Sequence, residues 1–193
     1  MLSITKSRLR AEALAARSLI GADTARHASQ MAARHALDLS NGLIDASTIA
    51  LYFPVRGELD CVPFAAMLRQ AGKQVLLPVV NAPDTPMIFR HWNHEKLLVD
   101  GFANIKQPCD KAEQAVPDVV FVPFAAFDAR GYRIGYGKGF YDRTLPILRA
   151  QKTVHAFGYG FAAQEVAHVP EDAHDVRLDG VVTENGFLPA KDS

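Results

Sequence analysis

Residues 118–143 read DVVFVPFAAFDARGYRIGYGKGFYDR. The opening DVVFV, Asp118 to Val122, is short, continuous and β-branched, the pattern of a strand buried on both faces. Behind it, Gly131, Gly135, Gly137 and Gly139 fall within nine positions, interleaved with Arg130, Arg133, Lys138 and Arg143. A helix is predicted from about Gly139 to Ala150. Glycines let successive backbone N–H groups turn toward one anion, and a following helix adds its partial positive charge. Arg133 and Lys138 supply full charges of the kind that di- or triphosphate oxygens accept. The spacing matches neither G-x-G-x-x-G nor G-x-x-x-x-G-K-[ST]. A solvated glycine-rich hairpin fits the same composition, but Phe140-Tyr141-Asp142 directly behind the cations suits the wall of a ligand site.

On either side of this stretch the pattern alternates. Apolar residues at helical spacing predict helices over 4–20 and 24–39, and 61–71 is helical up to Gly72. Strands are predicted at Ser47 to Phe53, Gln74 to Val80, Met87 to Trp92, Thr153 to Tyr159 and Gly180 to Thr183. Alternating strands and helices predict an α/β fold, a three-layer sandwich with a mainly parallel sheet and an N-terminal helical pair. Ligands of such sheets gather at one edge, where strands run out into loops. No repeat, linker or low-complexity tract divides the chain, so residues 1–193 are expected to form a single domain.

The 193 residues balance 21 Lys+Arg against 21 Asp+Glu. That balance excludes nucleic-acid binding by general electrostatic attraction. Apolar runs fall far short of the ~20 residues a membrane span needs, and the start of the chain has no secretory h-region. A cytoplasmic, monomeric protein is expected. Cys61 and Cys109 are too few for a cysteine zinc site and are expected as buried reduced thiols. His91 and His94, three apart with no third ligand, are expected to be solvated or structural.

Residues 118–143 resemble the signature of the 5-formyltetrahydrofolate cyclo-ligase family (5,10-methenyltetrahydrofolate synthetase). Lys6-Ser-Arg-Leu-Arg10 is similar to the family's N-terminal element, and Leu51 to Asp60 (LYFPVRGELD) to its second. Gln107-Pro108 and His174-Asp175-Val176 with Asp179 resemble two further elements, all in family order. Gln107 replaces a frequent Glu, Asn104 a frequent Gly, and Tyr136 stands at a variable loop position.

The resemblance implies ATP- and Mg²⁺-dependent cyclisation of 5-formyltetrahydrofolate to 5,10-methenyltetrahydrofolate. It implies ATP contacts at Lys6, Arg10, Arg133, Ile134, Gly135, Tyr136, Gly137, Lys138, Gly139, Phe140 and Tyr141. Of these, Lys138 and Arg133 are the catalytic cations, while Ile134, Tyr136 and Phe140 matter for shape. Phe53, Glu58 and Tyr141 are implied for folate, with Glu58 accepting pterin N–H groups in bidentate fashion. Asp142 and Asp175 are implied to hold Mg²⁺. Lys6, Arg10 and Arg17 lie within an arc of roughly 40° on one helix face. Arg17 matches no family element and is expected on a solvated basic face. Two other classes remain open at this point: a phosphosugar isomerase or CoA-transferase-like enzyme, needing a carboxylate base and no ATP, and a nucleotide- or folate-sensing protein that binds without turnover.

Overall fold

The computed structural model describes residues 5–43, 45–93 and 98–191; His94 lies outside them. The chain opens with α1 (Lys6–Ser18) and α2 (Ala22–Gly42), then β1 (Thr48–Ala50), α3 (Val62–Gln70), β2 (Gln74–Val79) and β3 (Ile88–His91). A hairpin of β4 (Leu98–Asp100) and β5 (Lys106–Pro108) precedes β6 (Val119–Val122). A second, smaller hairpin joins β7 (Ala126–Phe127) to β8 (Arg133–Ile134). The chain continues through α4 (Phe140–Gln151), β9 (His155–Tyr159), β10 (Gly180–Thr183) and β11 (Gly186–Pro189).

Seven strands form one sheet in the order β11-β10-β9-β6-β1-β2-β3. The five central strands are parallel, and the two edge strands pair antiparallel. Two hairpins that periodicity alone did not signal, β4–β5 and β7–β8, stand outside this sheet.

Alternation along β6 sets the layers, because successive side chains point to opposite faces. Val119 and Phe121 pack with α2 and α3 through Ala32, Ala36, Phe64 and Leu68. Val120 and Val122 pack with α4 through Leu145 and Leu148. All four β6 side chains are fully buried, each contributing on the order of 1.5–3 kcal/mol. Helix α1 rests instead on the second hairpin, placing Ala13 against Ala125, Ala126 and Ile134.

At the amino end of β6, Asp118 accepts the Ser47 and Thr48 N–H groups, both at 2.8 Å, and the Thr48 hydroxyl at 2.7 Å. Lys152 completes the cluster at 2.7 Å. From β1 the chain turns one way to β2 and later returns on the other side to β6. Strand order therefore reverses between β1 and β6, the switch point where an open parallel sheet leaves a crevice at its carboxyl edge. No helix among the described residues is long and apolar enough to cross a membrane. Cys61 is buried as expected, whereas Cys109 is half-exposed, and both are free.

Candidate functional site

A cavity of about 260 Å³ opens at this switch point. Phe53, Val55, Arg56 and Glu58 come from the segment after β1, Pro123 from the end of β6, and Pro78 and Val80 from around the end of β2. Arg133, Gly135, Tyr136, Lys138 and Gly139 supply the glycine-rich wall, and Phe140, Tyr141 and Asp142 the first turn of α4. Phe53, Glu58 and Tyr141 thus share one space with Arg133, Gly135, Tyr136, Lys138, Gly139, Phe140 and Asp142, while Lys6, Arg10, Ile134, Gly137 and Asp175 lie outside its lining.

The glycine loop is shaped by its backbone. Gly137 and Gly139 adopt positive φ, 85° and 60°, a region that costs other L-residues roughly 1–2 kcal/mol. Gly139 forms the left-handed N-cap of α4. Arg143 folds back to donate to the Lys138 carbonyl, its guanidinium 5.5 Å from the Phe140 ring centre. The Lys138 side chain is exposed at the cavity wall and has no protein partner among the described residues.

Arg133 is placed differently from a free phosphate cation. It is 8% exposed and donates to Asp142 Oδ1 at 2.8 Å and to the Val176 carbonyl at 2.6 Å. Its charge is therefore already balanced by Asp142. Val176 N–H also donates to Asp142 Oδ1, at 3.1 Å, which brings the segment bearing Asp175 beside Asp142. Asp175 itself is held by Lys6, which also bonds Asp172 at 2.8 Å. No three acids, histidines or cysteines gather as a metal cage among the described residues. Asp142 still keeps one oxygen without a protein partner among the described residues, at the cavity wall, which suits an ion held chiefly by phosphate oxygens and water.

The basic stripe of α1 faces inward. Arg10 Nε donates to the Gly135 carbonyl at 2.7 Å, and its guanidinium sits where a side chain on Gly137 would extend. Arg17 corrects the expectation of a solvated face. It is 5% exposed and donates to the Tyr136 hydroxyl at 2.7 Å and the Arg56 carbonyl at 2.8 Å. Tyr136 is likewise more than a shape-filling side chain, since its hydroxyl is hydrogen-bonded. The signal in the sequence was the helical phase that Arg17 shares with Lys6 and Arg10.

Glu58 Oε2 accepts the Val55 N–H at 2.9 Å. Burial pushes its carboxyl above the usual range, while Tyr136, the Val55 N–H, Arg17 and Arg56 pull it back in part. Burial and the nearby Glu58 charge also raise the Tyr136 and Tyr141 phenols. Phe53 meets Trp92 edge-on at 6.4 Å. Of the opposite wall the sequence signalled only Gln107, in the Gln107-Pro108 element. That wall is the β4–β5 hairpin, with Phe102, Ala103, Ile105, Lys106 and Gln107 lining the cavity and Phe102 edge-on to Phe140 at 5.6 Å. Ala103 and Asn104 both take positive φ at its tip, and a side chain on Gly101 would overlap that of Gln107.

Two residues of the C-terminal family element make structural contacts, and His91 is placed as a structural histidine would be. Asp179 accepts the Ala156 N–H at 2.7 Å and pairs with Arg149, a sheet-end contact. His174 donates its backbone N–H to Asp172. His91 lies half-buried at the end of β3.

The sequence and the fold have close counterparts among known proteins. A 5-formyltetrahydrofolate cyclo-ligase of Escherichia coli is 35% identical over 146 residues, covering 73% of this chain and 80% of that one. The Haemophilus influenzae protein of the same name is 31% identical over 179 residues, covering 90% and 94%. The solution structure of Aquifex aeolicus 5,10-methenyltetrahydrofolate synthetase superimposes with a TM-score of 0.81 at 28% identity, covering 98% of this chain and 95% of that one. The profile of the 5-formyltetrahydrofolate cyclo-ligase family matches residues 3–184. The chain belongs to the 5-formyltetrahydrofolate cyclo-ligase family of enzymes.

Proposed function

We propose that the protein uses ATP to close 5-formyltetrahydrofolate into 5,10-methenyltetrahydrofolate, releasing ADP and phosphate. The observation that carries this reading is a single cavity with a desolvated carboxylate, Glu58, on one wall and a cationic glycine loop ending in a helix N-terminus on another. The chemistry needs both. A formamide oxygen is a poor leaving group, so it first attacks the γ-phosphorus of ATP and expels ADP. The N10 nitrogen then adds to the activated carbon and loses its proton, and phosphate departs with the former formyl oxygen. Neither step needs a covalent enzyme nucleophile, so positioning and charge stabilisation carry the catalysis.

In this reading Glu58 accepts the pterin N–H donors, Phe53 lies against the ring, and the Tyr141 hydroxyl bonds the substrate. Lys138, which has no protein partner among the described residues, stabilises the transferring phosphoryl. Gly135, Gly137 and Gly139 let the backbone approach the phosphates, while Ile134 and Phe140 shape the wall. Lys6 and Arg10 reach the nucleotide from α1, and Lys6 exchanges its aspartate partners for phosphate. Asp142 and Asp175 would hold Mg²⁺, which when bound would supply positive charge against the phosphates. Arg133 holds the Asp142 carboxylate in place. The protein acts as a cytoplasmic monomer.

The test is absorbance in the methenyl product's band, with purified protein, 5-formyltetrahydrofolate and Mg²⁺, in the presence and absence of ATP. ATP-dependent product with matching ADP release is expected. Folded protein that binds ATP and folate but releases no ADP would overturn the reading in favour of a sensing role.

A further inference from the structure

Arg17, which is buried, and Tyr136 and Glu58, both half-buried, form a polar series that joins three elements: α1, the glycine loop and the segment after β1. The Arg17 guanidinium has donors only, so at 2.7 Å the Tyr136 oxygen must accept from it. That leaves the phenolic proton free to donate, and Glu58, lining the same cavity, is the carboxylate to which the phenol is electrostatically coupled. Tyr136 and Glu58 both line the cavity, whereas Arg17 lies behind them. The second Arg17 bond, to the Arg56 carbonyl at 2.8 Å, grips the turn leading into Glu58. Arg56 there holds positive φ, 52°, beside Gly57 at 74°.

We propose that Arg17 is a positioning residue which, acting through the Tyr136 hydroxyl, keeps Glu58 ionised and aimed at the folate. This rests on the folate assignment of Glu58 made above. The groups facing Glu58 are Arg17 from α1, Arg56 from its own segment, Tyr52 beyond β1, Cys61 before α3, Tyr136 from the glycine loop and Tyr141 from α4. Arg17 and Arg56 are the cations of this set. Without the Arg17 charge or the Tyr136 hydroxyl, less opposes the burial that disfavours the carboxylate. The carboxylic acid form cannot accept two pterin N–H groups, so folate capture then fails at a higher pH.

The closing experiment reads Glu58 directly. The carboxyl carbon of Glu58, assigned through Glu58→Gln, is titrated by NMR in ligand-free wild type, Tyr136→Phe and Arg17→Gln. Each variant is expected to raise the Glu58 pKa by about one unit. In turnover, the acid limb of kcat/KM for folate should move up with it, and Arg17→Lys should restore part of the shift. Tyr136→Phe leaves the Arg17–Arg56 bond in place, so it keeps the test decisive if Arg17→Gln folds poorly. Unchanged Glu58 titration in Tyr136→Phe, or loss of thermal stability in Arg17→Gln with the titration unmoved, overturns the proposal. Because the titration needs no substrate, absence of methenyl formation by the wild type would count against the enzymatic reading and leave this result to be judged separately.

Discussion

Asp118 and Glu58 are carboxylates at opposite ends of one parallel sheet, and their surroundings push them in opposite directions. Burial raises both. At Asp118, the bonds from Lys152, Thr48 and Ser47 overcome that penalty and hold the carboxyl well below the usual range. At Glu58 the partners offset the penalty only in part, and the carboxyl stays above the usual range. The same division holds for cations. Lys152 is spent on Asp118 and the Val116 carbonyl, whereas Lys138 faces the cavity with no partner among the described residues. At the amino edge of the sheet this carboxylate and this lysine satisfy each other, whereas at the carboxyl edge Glu58 is only partly compensated and Lys138 has no protein partner among the described residues.

The largest effect should come from the least-paired cation. Lys138→Ala is expected to lower kcat by about 10²–10³-fold, the cost of losing one preorganised charge at a developing anion. Its thermal midpoint should stay at the wild-type value, because the side chain is exposed and has no protein partner among the described residues. A fall in stability with kcat intact would place Lys138 on the structural side of the comparison. Next in size is Glu58→Gln. Loss of charge-assisted bonds worth about 1.5–3 kcal/mol should raise KM for folate roughly 10- to 100-fold, with KM for ATP little moved. An equal rise in both constants would break the folate assignment.

The two carboxylates also differ in the sign of their pH dependence. A carboxyl whose folded pKa is raised favours folding below its unfolded pKa, and loses that contribution as pH rises through the folded value. Glu58→Gln should therefore gain stability over wild type as pH is taken from 4 to about 8. Asp118, with its folded pKa depressed, contributes stability above the unfolded carboxylate range, and the contribution is lost as pH falls through the folded value. Asp118→Ala should cost on the order of 2 kcal/mol at neutral pH by urea denaturation, and the gap from wild type should narrow below about pH 4. A gap independent of pH would mean that packing, not charge, is what Asp118 provides.

This contrast also explains how much could be read in advance. The run Val119 to Val122 announced a doubly covered strand because continuous β-branched residues fit little else. The glycine loop announced itself because four glycines among cations violate the habits of an ordinary helix or strand. Signals of that kind are local. Arg17 was lost because its partners, Tyr136 and Arg56, lie 119 and 39 residues away, and helical phase alone fits a solvated face equally well. Lys106 and Phe102 were lost because a three-residue strand pair carries too little periodicity to register. Arg133 was recognised as a site cation, but its pairing with Asp142 depends on the turn at Gly137 to Gly139, which composition does not specify.

The smallest predicted effects separate two reasons for a glycine within the same loop. Gly139 needs its residue type for backbone geometry: φ is 60°, and an added Cβ would lie 3.0 Å from the Arg143 guanidinium. Gly139→Ala should therefore cost about 1 kcal/mol of stability and disturb the first turn of α4. Gly135 has no positive φ, and a Cβ there would meet no atom within 4 Å. Gly135→Ala should change stability by less than about 0.5 kcal/mol. If the loop cradles phosphate, that methyl still projects into space the nucleotide needs, and KM for ATP should rise several-fold with the fold untouched. The pair is read by urea denaturation beside ATP kinetics. Should Gly135→Ala leave ATP binding unchanged, the open space beside Gly135 lies off the nucleotide's path, and the phosphate contacts then fall to Gly137, Lys138 and Gly139 at the start of α4.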